Sequence, residues 1–239
     1  MTGAGRGIGR VIALALAEAG CDVSILEVNI EDGRKVAQEI EKMGRRALAI
    51  GADVRRPAEV KEAFATTARE FGRVDICVNN AGIAFHEPAE ETLEEHFDQT
   101  LDVNLKGVFL CCQEAARIMI PQKEGSIINI ASMSGTVANF PQKQAAYNAS
   151  KAGVVLLTKC LAVEWAPYGI RVNSLSPGYT RTEMTETVAH LVPQWEAQIP
   201  MNRMADPKEL LGAVIYLASD ASSYMTGGDM IVDGGYTAR

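Results

Sequence analysis

No Cys-x-x-Cys pair occurs in the 239 residues. The cysteines are five, an odd number, and most lie inside apolar runs: Cys21, Cys77, Cys111, Cys112 and Cys160. Such a set has no disulfide framework and fits a reducing compartment, so a cytoplasmic protein is expected. No apolar run approaches the roughly 20 residues of a membrane span. No basic stretch followed by an apolar one opens the chain, and no secretory signal is expected. Positive charge is in deficit, 23 Lys and Arg against 30 Asp and Glu, a net −7. That balance argues against nucleic acid as the main partner. The three histidines, His86, His96 and His190, are scattered. They suggest no metal site and read as solvated or core residues. Repeats, low-complexity tracts and linkers are absent too, and the length suits one large α/β domain, 1–239.

What is present is an alternation of strand and helix patterns. A glycine-rich string, Thr2-Gly3-Ala4-Gly5-Arg6-Gly7-Ile8-Gly9, precedes a helical pattern over 11–20 closed by Gly20. Glycines before a helix let the backbone approach a pyrophosphate at the helix's positive end. Val23–Leu26 reads as a strand ending in Glu27, an acidic residue about 20 positions on and the expected ribose-hydroxyl acceptor. Further strands are read at 47–50, 74–78, 127–130, 170–175 and 229–232, and helices at 30–43, 57–71, 93–120, 147–165 and 209–218. This order predicts a parallel sheet with helices on both faces. A glycine loop of this kind follows a mid-sheet strand. Only Met1 stands before Thr2, so either an apolar strand of five to eight residues is missing ahead of it or another segment fills its place. Residues 183–206, of mixed polarity, read as a mobile flap over the site or as a plain connecting helix pair.

The chemistry centres on 132–151. Tyr147 and Lys151 are four apart in an alanine-rich helical segment, which places them on one face. An ammonium near a phenol favours the phenolate and lowers its pKa from about 10, making Tyr147 a proton-transfer group. An upstream serine can bond the same reacting oxygen. Asn104 lies inside a helical pattern where asparagine is mildly unfavourable, which asks for a bend or a buried hydrogen bond. Asn79-Asn80-Ala81-Gly82 is a short turn at a strand's C-terminal end, where open α/β sheets bind ligands.

Together, Thr2-Gly3-x-x-x-Gly7-x-Gly9, Asp53-Val54, Asn79-Asn80-Ala81-Gly82, Asn104, a serine, Tyr147-x-x-x-Lys151 and Pro177-Gly178 resemble the short-chain dehydrogenase/reductase family over nearly the whole chain. The resemblance implies a Rossmann-type doubly wound parallel sheet, a nicotinamide cofactor and usually a homotetramer. It makes Tyr147 the general acid/base. Lys151 holds the nicotinamide ribose and lowers the phenol's pKa, and Asn104 supports a water in a proton relay. The cofactor would lie along Gly3, Arg6, Gly7, Ile8, Gly9 and Glu27, with Asp53 and Val54 flanking the adenine. Asn80, Ala81 and Gly82 would line its ribose, with Pro177, Gly178, Thr180 and Thr182 beyond, Thr182 at the carboxamide. The strand frame Asn129-Ile-Ala-Ser132 selects Ser132 as the catalytic serine, with Ser134 the runner-up.

The longer loop after Ser132 resembles that of the polyol and sugar dehydrogenase subgroup, acting on galactitol, sorbitol or gluconate. Substrate contacts are expected from Ser132, Ser134, Asn139 and Tyr147, with Asn139 the first choice for a substrate hydroxyl. Glu27 favours NAD over NADP, and Arg6 is the dissenting residue. The competing functions are an NADPH-dependent ketone or 3-oxoacyl thioester reductase and a non-catalytic dinucleotide sensor. The expected partner is a small alcohol or ketone.

Overall fold

The computed structural model describes residues 1–238. In chain order the elements are α1 (Gly7–Glu18), β1 (Val23–Glu27), α2 (Ile30–Lys42), β2 (Ala47–Gly51), α3 (Pro57–Phe71), β3 (Ile76–Asn79), α4 (Glu94–Leu101), α5 (Gly107–Gln122), β4 (Gly125–Ile130), α6 (Ala145–Trp165), β5 (Ile170–Pro177), α7 (Glu183–Glu186), α8 (Val192–Gln198), α9 (Leu211–Ala218) and β6 (Asp229–Val232). All strand pairs are parallel: β1 with β2, and β3-β4-β5-β6 in that order.

Side chains alternate across a strand, and the sheet uses both faces. Cys77 and Ile127 pack with Val60 and Phe64 of α3, Cys111 and Ala115 of α5, and Val154 and Leu161 of α6. Their neighbours Val78, Ile128 and Ile130 turn the other way, onto Ile12 and Leu16 of α1 and Val214 and Leu217 of α9. Ala13 and Ala17, on the adjoining stripe of α1, meet Val36 and Ile40 of α2. This is the expected doubly wound sheet, buried on both sides.

In the place expected for the strand before the glycine loop lie the first three residues. Met1–Gly3 enters the slot between β1 and β3. Leu26 N–H donates to Met1 O (2.9 Å), Thr2 N–H to Val78 O (3.0 Å) and Gly3 N–H to Leu26 O (2.9 Å). Thr2 thus bridges Leu26 on one side and Asn79 on the other. Its buried hydroxyl accepts from Asn80 N–H (3.0 Å) and Ala81 N–H (3.1 Å).

The single long helix read over 93–120 is α4 and α5 joined by one π-turn, Asp102–Lys106, with Asn104 at its centre. The bend is where Asn104 becomes fully buried. Its Oδ1 accepts from Ile83 N–H (2.9 Å), and its Nδ2 donates to Ile83 O (2.9 Å) and Ser150 Oγ (3.1 Å). β5 runs two residues past the expected Leu175, to Pro177. Residues 183–206 form α7, a 3-10 turn and α8, and return as an extended segment that bridges Thr180 to Ala205. Trp195 of α8 is buried and stacks on Tyr179 with ring centroids 4.4 Å apart. Among the described residues no helix is long and apolar enough to cross a membrane.

Replacing Thr2 by valine keeps the shape and removes the acceptor for two backbone N–H groups. Leaving such groups unpaired costs about 1–3 kcal/mol. Denaturant unfolding of Thr2→Val is expected to show a loss of that size, and an unchanged midpoint would mean Met1–Gly3 does not join the half-sheets through this hydroxyl.

Candidate active site

The C-terminal ends of the strands open into one cleft of about 660 Å³. Its walls include Gly3, Arg6, Gly7, Ile8, Gly9, Glu27, Asp53, Val54, Asn80, Ala81, Gly82, Ser132, Ser134, Tyr147, Lys151, Pro177, Gly178, Thr180 and Thr182. The structure therefore brings together all the expected site residues but two. Asn104 lies one layer behind, and Asn139 lies off the cleft.

At one end the glycines clear the floor. A methyl group on Gly9 would sit 2.1 Å from Gly3 O and 2.4 Å from Asn80 Nδ2, so no larger residue fits there. Gly3 and Gly7 adopt positive φ of 60° and 53°, the region glycine enters without steric cost. α1 begins with no side-chain cap and no acidic residue in its first turn. Its N–H groups and positive dipole end are left for an anion. Glu27 accepts from Gly5 N–H through Oε2 at 2.9 Å, bracing the loop at the end of β1. Asp53 is clamped by Arg55, with Nε at 3.0 and 2.9 Å from the two oxygens and Nη2 at 2.7 Å from one. That guanidinium holds the Asp53 carboxyl below its usual range. A glycine cradle on an uncapped helix, followed by a carboxylate one strand away, fits a dinucleotide.

At the other end, Ser132 starts a 3-10 turn after β4, and its Oγ accepts from Ser134 N–H (3.1 Å). Its hydroxyl is near enough to the Tyr147 phenol, on the first turn of α6, to favour the phenolate, so of the two candidate serines Ser132 is the one at the tyrosine. Lys151 is buried one turn further on, its Nζ 5.7 Å from the centre of the Tyr147 ring. Removal from water pushes the Tyr147 pKa up, and the nearby Ser132 hydroxyl opposes it. The Lys151 ammonium is spent on Ile130 O at 2.7 Å, and burial lowers its own pKa to about 8. A methyl on Gly82 would lie 3.4 Å from Asn104 Oδ1 and 3.6 Å from Lys151 Nζ. That glycine lets the asparagine and lysine approach one point from below.

Thr182 lines the cleft as the N-cap of α7, in a reciprocal capping arrangement with Thr185. Thr180 is buried, its hydroxyl donating to Gly178 O (3.1 Å). Asn139 stands outside the lining because its amide is already used. Nδ2 donates to Tyr179 OH (3.2 Å), and Oδ1 accepts from Gln144 and Asn148 (both 3.2 Å). Among the lining residues not expected at the site are the polar His86 and Gln144. His86 is at the rim near the Gln144 side chain, and burial lowers its pKa. Neither has a local signature, because their meeting depends on how the 83–93 segment and the long loop pack. Among the described residues no cluster of side chains could hold a metal ion.

A family profile described as Enoyl-(Acyl carrier protein) reductase matches residues 3–237. A short-chain type dehydrogenase/reductase from Mycobacterium marinum has a solved structure similar to this one: TM-score 0.98, 48% identity, covering 100% of this chain and 94% of that one. An uncharacterised oxidoreductase of Schizosaccharomyces pombe is 45% identical over 99% of this chain and 89% of its own length. Galactitol 2-dehydrogenase of Rhizobium johnstonii is 43% identical, over 99% and 93%. Similar proteins include one named for NADP and one solved with NAD+.

A lysine whose pKa falls on folding weakens the fold while it is charged. Unfolded chains bind more protons than folded ones between about 8 and 10.5, so Lys151 makes stability rise with pH across that window. Wild type is expected to gain stability relative to Lys151→Met as the pH is raised from 8 toward 10.5. Parallel stability–pH curves would show that Lys151 is not held depressed.

Proposed function

Because the chain belongs to the short-chain dehydrogenase/reductase family, we propose that it oxidises a secondary alcohol of a polyol, sugar or sugar acid, or reduces the matching ketone. The observation that carries this reading is Tyr147 held between Ser132 and Lys151 beside a dinucleotide cradle. A nicotinamide group bound in the cradle supplies the hydride chemistry. The chain's own residues do the rest. In the oxidation direction the Tyr147 phenolate takes the alcohol proton, and Ser132 holds the same oxygen. Lys151 holds the ribose side from below, and Asn104 supports the proton path beyond it.

The favoured cofactor is NAD. Glu27 stands at the ribose end with Asp32 near it: a methyl on Gly5 would meet Asp32 Cβ at 2.8 Å and Glu27 Oε2 at 2.9 Å. The Asp32 carboxylate is paired with Lys35 (2.9 Å), so the Glu27 carboxylate is the one set against a 2′-phosphate, and it outweighs the exposed Arg6. The assembly is a homotetramer. Phe97 and Phe109 on α4 and α5, with Leu156 and Val163 on α6, leave apolar side chains exposed on one side, and Tyr216, Tyr224 and Ile231 do so near the C-terminus. Patches of this kind mark interaction surfaces. Its compartment is the cytoplasm, as the unpaired cysteines suggest.

Tyr147→Phe is expected to bind the dinucleotide as wild type does and to lose about 10²-fold or more in turnover. Turnover near wild type would remove Tyr147 from the mechanism. Comparing kcat/KM for the two cofactors tests Glu27: NAD is expected to win in wild type and to lose ground in Glu27→Gln. A preference for NADP in wild type would overturn the role given to that carboxylate.

A further inference from the structure

Two serines on the 3-10 turn address two residues of α6. The Ser132 hydroxyl is beside the Tyr147 phenol, and Ser134 Oγ accepts from Gln144 Nε2 (3.4 Å). Gln144 is the N-cap of α6 and Tyr147 lies in its first turn, and both line the cleft. A carbon chain whose reacting oxygen lies at Tyr147 therefore runs past Gln144.

Most other polar groups in this wall are committed inward. Gln142 is buried, its Nε2 donating to Tyr179 OH (2.8 Å) and its Oε1 accepting from Trp195 Nε1 (2.8 Å). Asn148 donates to Val137 O (3.0 Å). Gln144 is fixed from behind by Asn148 Oδ1 (2.9 Å) and Asn139 Oδ1 (3.2 Å), both accepting from Nε2. Its carbonyl oxygen takes part in none of these bonds, and Gln144 and His86 both line the cleft.

Charge narrows the ligand further. Lys151 is the sole Lys or Arg lining this half of the cleft among the described residues, and its ammonium is on Ile130 O. Arg55 is at the dinucleotide end, clamped to Asp53, and Arg6 is there too. Glu183 also lines the cleft, but its carboxylate is at the dinucleotide end, 3.4 Å from where a methyl on Gly7 would sit. A substrate carboxylate would be desolvated with no arginine to meet it and only a lysine that already donates to Ile130 O and is placed to hold the ribose.

We propose that Gln144, with His86 at the rim, reads a second hydroxyl one or two carbons from the reacting carbon, and that the site takes neutral polyols or ketoses and turns away sugar acids. This rests on the dehydrogenase reading above. A site built to bond a hydroxyl rejects analogues lacking it, because its own polar groups are then left unpaired.

The test measures kcat/KM for a hexitol, a simple secondary alcohol of similar length and an aldonate, in wild type, Gln144→Leu and His86→Arg. Wild type is expected to prefer the hexitol over both others. In Gln144→Leu the hexitol-to-alcohol ratio should fall at least about tenfold, the scale of one hydrogen bond, with the loss mainly in KM. His86→Arg, at a solvent-facing position, should gain aldonate turnover relative to hexitol, a gain that misfolding cannot mimic. An unchanged ratio in Gln144→Leu, or an aldonate used as well as the hexitol by wild type, overturns this inference and leaves the dehydrogenase standing. Absence of turnover of every alcohol with either cofactor overturns both.

Discussion

The structure depends on a lock between the glycine loop and the turn after β3. Asn80 Nδ2 donates to Gly3 O at 2.7 Å and to Thr2 O at 3.2 Å, while the Thr2 hydroxyl accepts from the Asn80 and Ala81 N–H groups. The two half-sheets meet along this line. Gly9 packs so closely on Gly3 O and Asn80 that α1 can take only one position over it. The cradle at the start of α1 and the wall at Asn80–Gly82 are thereby set by one cluster of hydrogen bonds. A break there would disturb the fold and the dinucleotide site together.

A second constraint ties the catalytic end to the core. The π-turn in the long helix places Asn104 against Ile83 and Ser150. The loop after β3 is pinned to α6 beneath Gly82, where Lys151 also arrives. Deeper still, Asn79 donates to Asn129 (2.8 Å) and Asn129 to Thr158 (2.9 Å), all three buried. Such fully satisfied polar chains specify one packing arrangement. They run from β3 through β4 to α6, under the residues that carry the chemistry. π-turns inside helices often mark functional sites, and here the reason is visible: the turn delivers a buried amide that a regular helix would point elsewhere.

Local pattern made much of this legible. The glycine string, the acidic strand end and the Tyr147–Lys151 spacing are short-range signals whose geometry follows from helix and strand periods. The mid-helix Asn104 was readable as an anomaly, and a buried hydrogen bond was one of its two expected causes. Asn139 was misplaced because its loop folds back and spends the amide on Gln144, Asn148 and Tyr179. Spacing shows that two side chains share a face, but burial and the carbonyl of Ile130 decide what the ammonium does. His86 and Gln144 come together only through tertiary packing, so no local signal could mark them.

The central claim is that this cleft moves hydride between a nicotinamide cofactor and a neutral polyol. The most direct measurement mixes the purified protein with a hexitol and either NAD or NADP and follows the absorbance of the reduced nicotinamide. The account predicts steady reduction, faster with NAD, that needs the hexitol. Dinucleotide binding without any reduction, across hexitols, pentitols and simple secondary alcohols, would contradict it and leave a protein that binds the cofactor without using it.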